Sequence, residues 1–80
     1  MNKEQIEQMV YNIVRQELSY TGELSHAVAF DDLHADSMDV IMIITDVEDK
    51  LNVEVDDDRL AGMKTLGEVI DYADELVNGK

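Results

Sequence analysis

The 80-residue chain contains no cysteine. That excludes a disulfide framework, a thiolate zinc site and a thiol nucleophile, and nothing in the composition calls for an oxidising compartment. The cytoplasm is therefore the expected location. Bases are scarce: six Lys and Arg face nineteen Asp and Glu, for a formal charge of −13. Such a surface disfavours nucleic acid and anionic membranes and attracts basic protein surfaces. Long apolar runs are also missing, since the longest aliphatic stretch, Val40 to Ile44, is far below the roughly 20 residues that a spanning helix needs. The first residues, Met1-Asn2-Lys3-Glu4-Gln5, lack the apolar core of a signal peptide, and no membrane insertion is expected. A chain this short makes one small domain, residues 1–80, with a modest core and no large enclosed active site. It is expected to be a monomer.

The acidity that is present is concentrated. Residues 31–58 hold eleven carboxylates against one base, Lys50, a local charge of −10. Within that region stands Asp31-Asp32-Leu33-His34-Ala35-Asp36-Ser37-Met38-Asp39, followed by the apolar run Val40-Ile41-Met42-Ile43-Ile44. Asp36 or Ser37 suits a helix N-cap, and Asp39 places negative charge in the first turn, where the helix dipole favours it. Ser37 is thereby expected on an exposed turn. A phosphate ester on its hydroxyl would lie at a helix N-terminus, where unpaired N–H groups attract anions.

The rest of the chain reads as helix. Ile6, Met9, Val10, Ile13, Val14 and Leu18 recur at three- and four-residue intervals, which predicts an amphipathic helix over 3–18, with Asn2 and Gln5 as a capping box. Residues 19–35 have no sustained period. So long a connection is commonly functional or packed by its own side chains; Leu24, Val28, Phe30 and Leu33 are the candidates, with Phe30 as core anchor. A second helix is expected from Ser37 to Leu51, its core face drawn through Val40, Ile43, Ile44, Val47 and Leu51. That leaves Met38, Ile41 and Met42 partly exposed beside carboxylates, as in a contact surface with an apolar centre and a polar rim. Val53 and Val55 alternate but have no partner strand, so an extended connection is expected there. Asp56-Asp57-Asp58 would cap a short helix over Arg59–Met63, marginal alone. Thr65 and Glu68 form a capping box for a last helix over 66–77, with Leu66, Val69, Ile70, Ala73, Leu76 and Val77 at helical spacing. The fold class is all-α: a small antiparallel bundle of three long helices, a short one before the last, and a long loop between the first two.

Asp36-Ser37-Met38 before a hydrophobic helix resembles the prosthetic-group site of acyl carrier proteins, whose pattern is Asp-Ser-Leu. The order of the helices, the long first loop and Thr65-Leu66-Gly67-Glu68-Val69-Ile70-Asp71-Tyr72 extend that resemblance over nearly the whole chain. It implies that Ser37 carries 4'-phosphopantetheine, derived from coenzyme A, through a phosphodiester, and that the thiol of that arm holds acyl groups as thioesters. It further implies, as partners, a phosphopantetheinyl transferase (holo-acyl-carrier-protein synthase) and acyl-transfer, condensing and reducing enzymes with basic surfaces, in fatty-acid, polyketide or related biosynthesis. Asp36, Asp39, Glu48 and Asp49 would meet those partners by charge, with Met38 and Ile41 as the apolar centre. Ile44, Val47, Leu60, Met63 and Ile70 are the candidates to shelter an acyl chain.

Two positions depart from the family pattern. His34 stands where Gly usually precedes Ala-Asp-Ser, so the backbone there must tolerate a side chain. Met42 stands where fatty-acid-type carriers tend to have an acid, which implies more apolar recognition. Catalysis by the chain is not expected, because a serine nucleophile needs a general base and the residues near Ser37 are exposed aspartates. No metal is expected either: the spacing of His26 and His34 fits no zinc motif. Counted from Asp56, Ala61 and Gly67 fill the sixth and twelfth places, where a calcium loop needs Gly and Glu. A peptidyl or aminoacyl carrier remains a related alternative, and an acidic interaction or inhibitor module without a prosthetic group is one of a different class.

Overall fold

The computed structural model describes residues 1–79 and contains α1 (Lys3–Leu18), α2 (Ser37–Leu51), α3 (Asp57–Ala61) and α4 (Leu66–Asn78). Helix starts follow local chemistry. Asn2 and Gln5 close a reciprocal capping box on α1, and Thr65 and Glu68 do the same on α4, so orphan N–H groups are satisfied in pairs. The α2 cap is Asp36, whose side chain accepts from the Asp39 N–H while the Asp39 side chain accepts from the Asp36 N–H. Left-handed residues end the long helices: Ser19 after α1, Asn52 after α2 and Gly79 after α4.

The apolar stripes meet in one core. Ile6, Val10, Ile13 and Val14 of α1, Ile43, Ile44 and Val47 of α2, and Leu66, Val69, Ile70 and Ala73 of α4 are buried, together with Tyr11 and Phe30. Burying each aliphatic side chain contributes about 1.5–3 kcal/mol, and this set supplies most of what holds so small a domain. Packing joins α1 to both α2 and α4. The Asn78 side chain donates to the Met1 carbonyl and Lys3 pairs with Asp71 at 2.6 Å, so α1 and α4 run in opposite directions.

The long loop is fixed by bonds distant in sequence. Ala29 and Thr65 form an antiparallel bridge, Phe30 N donates to Lys64 O, Leu66 N to Val28 O, and Gly67 N to His26 O. The approach at Gly67 is close enough that a Cβ there would lie 2.8 Å from the His26 carbonyl oxygen. The His26 ring also meets Glu7 of α1. Phe30, 5% exposed, drops into the core as expected. After it, Asp31–Leu33 form one 3-10 turn, ended by His34 in the left-handed region at φ 57°.

The short helix differs from its expected bounds. It spans Asp57–Ala61 instead of 59–63, because Asp56 caps it by accepting from Asp58 N, and Gly62 ends it with its N–H on the Arg59 carbonyl. The last helix runs one residue beyond its expected end, to Asn78.

Candidate functional site

Ser37 is the first residue of α2 and is exposed. Capping is done by Asp36, so the Ser37 hydroxyl is spared that duty and stands at the positive end of the helix dipole. The turn before it is held by Ala35 N donating to Phe30 O and by Ala29 N donating to the Asp32 carboxylate. The core anchor thus fixes the place where Ser37 leaves the loop.

A groove of about 810 Å³ opens beside Ser37. Its α2 wall is Ser37, Val40, Ile41, Ile44, Thr45 and Glu48, which spans roughly 16 Å at 1.5 Å per residue. Val55, Leu60, Ala61 and Met63 form the facing wall, while Phe30, Asp31 and Ala35 contribute from the loop. The lining is largely apolar but includes Asp31, Asp36, Glu48 and Asp57, and among the described residues Lys64 is its one base.

Among the residues singled out for an acyl chain, Ile44, Leu60 and Met63 line this groove. Val47 and Ile70 do not line it: at 1% and 0% exposed they are taken up by the core. Thr45, Asp57 and Lys64 also line it and were not legible as such, because the groove joins elements whose facing sides no local pattern specifies. Of the residues singled out for partner contact, Met38 is 65% and Ile41 50% exposed, and Met42 adds a third apolar side chain at 48%. Asp36 and Asp49 are exposed and Asp39 is half-buried. Glu48 is half-buried, and its carboxylate accepts from Val55 N at 2.9 Å.

On its far side, α3 is tied to α4. The Tyr72 hydroxyl accepts from Asp56 N at 3.1 Å, Arg59 stacks 4.2 Å above the Tyr72 ring, and Arg59 pairs with Glu75 at 3.2 Å. One face of this one-turn helix therefore walls the groove while the other is latched. Electrostatics also mark the α1–α2 contact. A hydrogen bond shared with the Asp46 side chain, then partial burial and the charges of Asp46 and Asp39, raise the pKa of Glu17. Two carboxyls facing each other favour keeping one proton between them.

An exposed serine hydroxyl at a helix start, with an open apolar groove beside it, suits a tethered prosthetic arm. Residues 8–73 match the family described as the phosphopantetheine attachment site. The class is thus a domain that bears this prosthetic group. Over 79 residues the chain is 35% identical to the acyl carrier protein of Exiguobacterium sibiricum, covering 96% of this chain and 100% of that one. It is 34% identical to the acyl carrier protein of Streptococcus pyogenes serotype M1 over 67 residues, 82% and 88% of the two chains. A shorter match, 42% over 45 residues, links it to the acyl carrier protein of Clostridium perfringens strain 13, covering 56% and 59%. The chain belongs to the acyl carrier protein family.

Proposed function

We propose that Ser37 carries the 4'-phosphopantetheine arm and that the chain presents thioester-bound acyl intermediates to enzymes of fatty-acid, polyketide or related biosynthesis. The observation that carries this reading is the exposed Ser37 hydroxyl at the start of α2, beside the groove. The arm supplies the reactive thiol; the chain supplies attachment, shelter and recognition, and is not itself an enzyme. Met38 and Ile41 form the apolar centre of a docking face and Asp36, Asp39, Glu48 and Asp49 its acidic rim, which suits partners with basic surfaces. These include the transferase that adds the arm. Ile44, Leu60 and Met63 shelter the acyl chain, with Val47 and Ile70 as the floor that α3 uncovers when it yields. The setting is the cytoplasm, as a monomer.

Incubation with coenzyme A and a phosphopantetheinyl transferase, read by intact mass, tests attachment. One adduct is expected on the wild type and none on Ser37→Ala, whose amide spectrum stays native. An adduct on the alanine variant, or none on the wild type with transferases of broad and narrow specificity, refutes the reading. A medium-length acyl group gains about 0.8 kcal/mol per buried methylene. Loading one should shift amide resonances at Leu60, Met63 and Val47 relative to the unloaded thiol form. Shifts confined to the neighbours of Ser37 would mean that the chain stays in solvent.

A further inference from the structure

Among the described residues the groove beside Ser37 is lined by four acidic residues, Asp31, Asp36, Glu48 and Asp57, and by a single base, Lys64. A phosphodiester on Ser37 brings a further negative charge into that setting. Asp36 is its chain neighbour, and the N–H of Asp39 is already taken by the Asp36 carboxylate. Like charges this near repel in the partly screened environment of a groove wall and work against the pull of the helix dipole, so a cation beside them would favour an arm that stays on the groove.

Lys64 is placed to do so. Phe30 binds both backbones: its N–H donates to the Lys64 carbonyl at 2.9 Å, and its carbonyl accepts from Ala35 N at 3.1 Å, two residues before Ser37. The Lys64 N–H is held by the Glu68 carboxylate at 3.1 Å. The main chain of Lys64 is therefore fixed, while its side chain is exposed on a flexible four-carbon stem. Among the described residues Lys64 has no ion-pair partner, whereas Lys3 and Arg59 are engaged by Asp71 and Glu75. Arg15 and Lys50 are not on the groove.

Resting on the proposed attachment at Ser37, we infer that Lys64 is a positioning residue for the prosthetic arm: its ammonium holds the phosphodiester and keeps the arm along the groove. An ammonium–phosphate contact is a charge-assisted hydrogen bond, stronger than a neutral one and sensitive to salt. Lys64→Met keeps the stem and removes the charge; Lys64→Arg keeps the charge.

The experiment compares unmodified and arm-bearing forms of the wild type, Lys64→Met and Lys64→Arg. Intact mass first establishes loading of each, and amide spectra of the unmodified forms establish the fold. In the wild type and Lys64→Arg, adding the arm should shift amide signals at Phe30, Asp31 and Leu60 to Thr65 and broaden the phosphorus resonance. In Lys64→Met the shifts should contract to residues 35–39 and the phosphorus line should narrow at least twofold. Salt at 0.5 M should drive the wild type toward the methionine pattern. Identical patterns in the wild type and Lys64→Met overturn the inference while leaving attachment intact. Failure of the wild type to load overturns attachment and, with it, this role.

Discussion

His34 sits at φ 57° and ψ 30°, ending the 3-10 turn with its N–H on the Asp31 carbonyl, and its side chain is exposed. A left-handed backbone costs a residue with a Cβ about 1–2 kcal/mol, whereas glycine adopts it freely. His34→Gly relieves that strain, but the more flexible unfolded chain takes back about 0.4–1 kcal/mol. Taking the middle of each range, the net gain is about 0.8 kcal/mol, which for a domain of this size raises the melting temperature by about 3–6 °C. Little packing is lost with an exposed ring, so no larger opposing effect intervenes. Thermal and urea unfolding of the wild type, His34→Gly and His34→Ala check this. The alanine variant keeps the strain and should gain nothing. A glycine variant that melts at or below the wild type, with a native amide spectrum, refutes the strain argument.

Two further perturbations test the helix contacts. The Glu17 pKa is raised above its ordinary 4.5, so the folded state holds this proton more tightly than the unfolded one. The stabilisation is fully present below pH 4.5 and is lost as pH rises through the folded value. Glu17→Gln keeps a donor for Asp46 and should raise stability toward urea at pH 7 but not at pH 4; equal effects at both values would count against the shared proton. Tyr72→Phe removes the acceptor of the Asp56 N–H, a bond contributing about 0.5–1.5 kcal/mol. Amide exchange should quicken at Leu60, Gly62 and Met63 while the α1 core amides keep their protection, and uniform acceleration would contradict a local latch.

The long helices were legible because each carries its own instructions. The Asn2–Gln5 and Thr65–Glu68 boxes and the stripe from Ile6 to Leu18 are local, and local chemistry sets those helix bounds. At α2 the cap was narrowed only to Asp36 or Ser37, and its reciprocal box was not legible, because Asp39 fills the place that Glu or Gln usually holds. The start of α3 was misplaced by two residues: three consecutive aspartates offer several caps, and only the structure selects Asp56. Least legible was the order in the first loop. Its bonds run from Ala29 to Thr65 and from His26 to Gly67, and such separations leave no periodic trace. For the same reason Ser37 could be singled out from its immediate neighbours, while the groove and Lys64 emerged only when loop, α2 and the segment before α4 were brought together.

The reciprocal bonds between Asp36 and Asp39 also make the start of α2 self-sufficient. The first turn of α2 is completed by its own side chains, so nothing added at Ser37 is required to nucleate it. With the proposed attachment at Ser37, the transferase would meet a preformed helix start instead of a flexible peptide.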